Sequence, residues 1–120
     1  MRERWPHWVY GSGEEPDYRF SFANERTFLA WIRTALALLA GGVALDAISL
    51  SVPALVQEAL AALLVLLGLA CAAISWIRWA RAEQAMRHHA PLPSSKLSVF
   101  LTAAVVLAAV AVLTVWSLHL

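Results

Sequence analysis

The chain has 120 residues, of which 61% are hydrophobic and only 14% are charged, and its formal net charge is +1. A soluble domain of this length encloses too small a core for so much apolar material, so the composition indicates a protein embedded in a lipid bilayer. No glycine-rich phosphate loop, zinc motif, nucleophile elbow or basic patch with interleaved aromatics occurs. We therefore expect no enzyme activity, no cofactor or metal site and no nucleic-acid partner. The single cysteine, Cys71, excludes a disulfide within the chain.

The first segment, residues 1–17, mixes prolines, glycines and charges of both signs without any periodicity. This pattern predicts a flexible tail rather than a folded domain. Its acidic residues and its lack of an apolar core argue against a cleavable signal sequence, so we expect the first membrane span to be retained. Residues 18–120 then form the predicted membrane domain.

Three apolar runs follow, and each is long enough to cross about 30 Å of hydrocarbon as a helix. We predict an all-α membrane protein with helices over about residues 21–50, 54–86 and 96–118. Ser21 is the expected cap of the first helix and Ser94 or Ser95 that of the third. Small residues four apart suit close helix packing in lipid; these pairs are Ala37 with Gly41, Gly68 with Ala72, and Ala104 with Ala108.

The basic residues indicate the orientation of the three helices. All nine precede or open the first span or lie between the second and the third, while the turn between the first two spans has none. The positive-inside rule therefore predicts a cytoplasmic N-terminus and a C-terminus outside.

A polar cluster lies where the first span begins. Arg26 and Arg33 are seven residues apart, so on a helix they differ by about 20° and share a face. An arginine facing hydrocarbon costs about 2.5 to 3.5 kcal/mol on insertion scales, so Arg33 needs a partner or a watery route. Glu25 projects about 100° from Arg26, which favours a partner on another helix or subunit. The predicted anion-binding or inter-subunit residues are Asn24, Glu25, Arg26 and Arg33, with Arg19, expected just before the helix, as a weaker member.

Several functions fit this cluster. The arginines are either ordinary anchors that reach lipid phosphates, or stacked basic rings in a homo-oligomer that conducts or binds an anion such as phosphate or polyphosphate. The alternative is a non-conducting scaffold or accessory subunit that recognises another membrane protein through residues 24–34. A third hypothesis is a lipid sensor that uses Trp5, Trp8 and the arginines.

The run Tyr18-Arg-Phe-Ser-Phe-Ala-Asn-Glu-Arg-Thr-Phe-Leu-Ala-Trp-Ile-Arg-Thr closely resembles the YidH-like family of small bacterial inner-membrane proteins. The resemblance covers about residues 16–118 and implies three membrane helices and a location in the bacterial inner membrane, without an established activity. The chain is also distantly similar to the three-helix membrane domain of the vacuolar transporter chaperone, which assembles into a ring and passes polyphosphate across a membrane. That resemblance agrees with the arginine stripe, although the chain lacks any polymerase or phosphate-sensing domain.

Overall fold

The computed structural model describes residues 4–92 and 96–119, and every regular element in these ranges is a helix. The elements are α1 (His7–Tyr10), α2 (Tyr18–Ala47), α3 (Ala54–Arg87) and α4 (Leu97–His119). The helices α2 and α3 and the segment Ser98–Leu118 of α4 are long and apolar enough to cross a membrane. The predicted all-α fold with three membrane-spanning helices is therefore confirmed.

The start of α2 differs from the prediction. Asp17, not Ser21, is the N-cap, because its carboxylate accepts the Arg19 backbone N–H at 2.9 Å. Aspartate caps at least as well as serine, and no helix breaker lies between it and Ser21, so the helix begins about one turn earlier. Arg19 consequently lies inside the first turn rather than before it, with its guanidinium 2.9 Å from Asp17. These hydrogen bonds hold the pKa of Asp17 below its ordinary value.

The turn between α2 and α3 is closed by a single side chain. The Gln57 amide donates to the carbonyl oxygens of Leu45, at 2.7 Å, and of Ile48, at 2.6 Å. Because carbonyls at a helix end have no partner inside the helix, these bonds stabilise the end of α2 at Ala47, three residues before the predicted end at Leu50. The caps predicted for the third helix, Ser94 and Ser95, lie outside the described residues.

The helices α2 and α3 pack as a close antiparallel pair along most of their length. A Cβ atom placed on Gly42 would lie 2.9 Å from the Ala61 carbonyl oxygen, and one placed on Gly68 would lie 2.9 Å from the Ala35 carbonyl oxygen. Contacts this short show that the two backbones meet without intervening side chains. Of the predicted small-residue pairs, Gly68 lies in this interface, whereas Ala37 is exposed on α2.

The helix α4 packs on α3, and among the described residues its backbone makes no contact with α2. Ala104 is its buried contact residue. The side of α2 that faces away from α3 is therefore left uncovered by the other described helices.

Residues 4–16, here called the tail, lie against the end of α3. Pro6 and Val9 are fully buried there, and the Trp5 ring lies 5.7 Å from the ring of Trp76 between centroids. The Tyr10 and Trp79 rings are 6.4 Å apart. These contacts place the polar groups of the tail beside the start of α2 and the end of α3.

Candidate functional site

The predicted site residues are divided between two faces of α2. Asn24 is buried toward α3, in line with the buried Ala35 and Gly42, whereas Arg26 and Arg33 are exposed. Arg33 is two residues from Ala35, or about 200° around the helix, so it points away from α3. The structure therefore separates Asn24 from the two arginines that the sequence analysis groups with it.

The uncovered face of α2 combines these arginines with alanines. From Arg26, helical geometry places Ala30, Arg33, Ala37 and Ala44 all within about 40° of one line. All five residues are exposed. We call this surface the arginine face. It contains no acidic residue, because Glu25 and Asp46 project about 100° and 160° away from Arg26.

On the opposite side of α2, a buried carboxylate joins α2 to α3. Glu83 is 3% exposed and accepts hydrogen bonds from the Ser21 hydroxyl and the Asn24 amide, each at 3.2 Å. The same amide donates to the Trp79 carbonyl oxygen at 3.1 Å. Burying a charged group is costly unless it is hydrogen-bonded, and each bond to such a group contributes about 1.5 to 3 kcal/mol. This polar pairing therefore fixes the register of α2 and α3 at the N-terminal end of α2.

The sequence analysis assigns no role to Glu83. A signal was present, because the small residues Ala61, Gly68, Ser75 and Ala82 recur every seven positions and are all buried on α3. They mark the packed side of that helix, and Glu83 adjoins the last of them. An acid at the edge of a packed face needs hydrogen-bond donors on the neighbouring helix.

Arg87, the last residue of α3, holds the tail. Its guanidinium donates to the carbonyl oxygens of Ser12, at 2.9 Å, and Tyr10, at 3.1 Å, and pairs with Glu15 at 2.9 Å. Its own carbonyl oxygen accepts the Glu14 N–H at 2.8 Å. Gly13 permits this approach, since its φ is +72° and a Cβ there would lie within 3 Å of the Arg87 backbone. From the sequence, Arg87 is only one of the basic residues between the second and third spans, and no pattern there indicates this contact.

These groups enclose a cavity of about 240 Å³ between the tail, the start of α2 and the end of α3. We call it the polar cavity. Burial raises the pKa of Tyr10 on its wall above the ordinary 10.0, and the nearby Glu83 carboxylate raises it further. The residues that line the cavity are Arg4, Tyr10, Glu15, Pro16, Tyr18, Ser21, Phe22, Glu25, Trp79, Glu83 and Arg87.

The described residues contain no group of three or more histidine, cysteine, aspartate or glutamate side chains that could hold a metal ion. His88 and His89, adjacent in the sequence, instead contact the tail: His88 lies 2.9 Å from the Ser12 hydroxyl and His89 3.2 Å from the Glu14 carboxylate. Both histidines therefore add to the attachment of the tail.

Three apolar helices of spanning length define this chain as a multi-pass membrane protein. Residues 19–85, which cover nearly all of α2 and α3, match the family described as "Domain of unknown function (DUF202)". The inner membrane protein YidH of Escherichia coli is 47% identical over 103 residues, covering 84% of this chain and 89% of that protein. An uncharacterized protein of Mycobacterium tuberculosis is 49% identical over 81 residues, or 66% of each chain. No solved structure matches the chain.

The chain therefore belongs to the DUF202 family of YidH-like proteins, as the sequence resemblance indicates. It is a small multi-pass protein of the inner membrane. The family match includes Asn24 and Glu83 as well as Arg26 and Arg33, so both faces of α2 fall inside it.

Proposed function

We propose that copies of this inner-membrane protein assemble with their arginine faces turned toward a common axis, where Arg26 and Arg33 line a path for an anion such as phosphate or polyphosphate. The observation that carries the proposal is the exposure of both arginines on the side of α2 that neither α3 nor α4 covers. Stacked rings of arginine are the arrangement expected of an anion pathway.

The energetics favour assembly over a free monomer. The two arginines are separated along the helix by about 10.5 Å, so Arg33 lies deeper in the proposed membrane span than Arg26. Facing lipid at the helix centre, such a side chain costs about 2.5 to 3.5 kcal/mol, whereas a water-filled path removes most of that cost. The alanines on the same face leave room for neighbouring backbones to approach closely. We further propose that the N-terminus and the Arg87 end are cytoplasmic, because the basic residues concentrate there.

A flux assay tests this function. Purified protein in liposomes would be assayed for release of phosphate and of short polyphosphate, comparing the original chain with Arg33→Gln and with the matched control Arg81→Gln, an exposed arginine on α3. We expect Arg33→Gln to lower the flux at least tenfold and Arg81→Gln to leave it nearly unchanged. Absence of flux from a verified oligomer would contradict the conducting role.

The second candidate is the non-conducting accessory subunit. It is favoured by the lack of any acidic partner for Arg33 on its own face, since a carboxylate of another membrane protein would supply one. Because the Asn24 side chain already hydrogen-bonds to Trp79 and Glu83 of α3, such a partner would have to bind the arginine face rather than the whole segment 24–34. Photo-crosslinking from position 37 in native membranes distinguishes the two: self-crosslinks support the path, and a single heterologous product supports the accessory role.

A further inference from the structure

We infer that the polar cavity binds an organic ammonium group, carried either by a free amine or by the headgroup of a lipid. The cavity lies within one copy of the chain, between the tail, α2 and α3, so this site does not depend on the proposed assembly. Three observations support it: an unbalanced buried carboxylate, aromatic walls and the size of the space.

The charges around the cavity are unequally matched. Arg4 and Arg87 both pair with Glu15. Glu83 receives hydrogen bonds only from the neutral Ser21 and Asn24, and among the described residues no basic group lies within 4.0 Å of it. Glu25, also on the wall, likewise forms no ion pair in the described part of the chain. A cation entering the cavity would therefore meet negative charge that the described residues leave unbalanced.

The walls suit an ammonium group that carries methyl or methylene groups. Tyr18 and Phe22 form one aromatic pair, with ring centroids 5.8 Å apart, and Tyr10 and Trp79 form the other, at 6.4 Å. Aromatic faces attract organic cations through the negative charge at the ring face, and the attraction is stronger where the cation is shielded from water. The Tyr10 face already holds a cation of the protein itself, since the Arg4 guanidinium lies 4.3 Å from the ring centre. The rings that a ligand would contact are therefore those of Tyr18, Phe22 and Trp79.

The size and chemistry of the cavity favour an ammonium group over other ligand classes. A volume of about 240 Å³ is below that of an ordinary drug-sized pocket, so the cavity holds a headgroup or a small amine and not a whole lipid. The wall carries three carboxylates and two guanidinium groups, and this excess of negative charge disfavours an anion. A hard metal ion prefers several oxygen ligands, and the described residues present no cluster of that kind.

The test uses the full-length protein purified in a maltoside detergent, with choline as the probe and its uncharged tert-butyl analogue as the control at equal ionic strength. Binding would be measured by calorimetry and by quenching of tryptophan fluorescence, since Trp79 lies on the wall. We expect choline to bind and the analogue not to bind. Glu83→Gln should weaken choline binding at least tenfold, while Glu58→Gln, an exposed acid at the other end of α3, should leave it unchanged.

Lipid nanodiscs distinguish the two sources of the ammonium group. If a lipid headgroup occupies the site, the protein should bind choline more weakly in phosphatidylethanolamine nanodiscs than in pure phosphatidylglycerol nanodiscs. If a free amine is the ligand, the protein should bind choline equally in the two kinds of nanodisc. Either result supports the site. Should Glu83→Gln fail to fold, the exposed Glu25→Gln replaces it, with an expected threefold or greater loss. Equal binding of choline and its uncharged analogue, or equal choline binding by the original and the cavity variants, would overturn the inference.

Discussion

Two adjacent glycines on α2 offer a sharp test of the helix packing, because a methyl group fits against α3 at Gly41 but not at Gly42. A Cβ atom on Gly42 would lie 2.7 Å from the Val65 Cγ2 atom and 2.9 Å from the Ala61 carbonyl oxygen. A Cβ atom on Gly41 would meet only Leu64, at an ordinary 3.8 Å. Gly41→Ala and Gly42→Ala therefore make the same chemical change one position apart, with opposite consequences.

The magnitudes follow from these distances. Replacing glycine by alanine inside a helix stabilises it by roughly 0.5 to 1 kcal/mol, and Gly41→Ala should show this gain. In Gly42→Ala the clash is with backbone that cannot rotate away, so the helices must separate by about half an ångström, and overpacking of this kind costs about 1 to 3 kcal/mol. We expect the two variants to differ by about 2 kcal/mol in the free energy of unfolding.

The assay is reversible unfolding of the purified protein by sodium dodecyl sulfate in mixed micelles, followed by circular dichroism. Gly68→Ala provides a second case, because its Cβ would lie 2.9 Å from the Ala35 carbonyl oxygen, and it should be destabilised like Gly42→Ala. Equal stabilities of Gly41→Ala and Gly42→Ala would refute the close approach of α2 and α3.

Two further predictions concern the tail. Arg87→Ala removes three contacts to the tail, so amide hydrogen exchange in residues 4–16 should accelerate at least tenfold, equivalent to about 1.4 kcal/mol. Arg81→Ala, at an exposed position, should have no effect. Unchanged exchange in Arg87→Ala would contradict the attachment of the tail by Arg87. In a Tyr18→Phe background, Tyr10 is the sole tyrosine, and an absorbance titration should give a pKa above 10.0 that falls in Glu83→Gln but stays raised by burial. Because the pKa of Tyr10 is raised in the folded protein, its contribution to stability is complete below pH 10.0 and is lost as the pH rises through the pKa of the folded state. A Tyr10 pKa at the ordinary value would count against the cavity.

The helices were largely predictable because lipid imposes simple rules on sequence. A run of about 20 apolar residues is enough to identify a span, and this criterion found all three. The ends of α2 were less predictable, since they depend on which side chain reaches the free backbone groups. At the N-terminal end, Asp17 rather than Ser21 is the cap, because its carboxylate accepts the Arg19 N–H. At the C-terminal end, Gln57 from the next helix donates to the Leu45 carbonyl oxygen.

The candidate site was predictable only where helical spacing within one element decides it. The shared face of Arg26 and Arg33 follows from their separation of seven residues, and the structure leaves both exposed. The contact of Asn24 with Glu83 depends on the register between two helices, 59 residues apart in sequence, which periodicity within one helix does not encode. The role of Arg87 depends likewise on the path of the tail.

Cysteine crosslinking tests the proposed assembly through the arginine face most directly. In a Cys71→Ala background, Ala37→Cys places a thiol on that face, and Leu66→Cys places a matched exposed thiol on α3. With a short bifunctional reagent in native membranes, we expect efficient crosslinks between copies from position 37 and few from position 66. Crosslinking from position 37 that is absent, or no stronger than that from position 66, would contradict it.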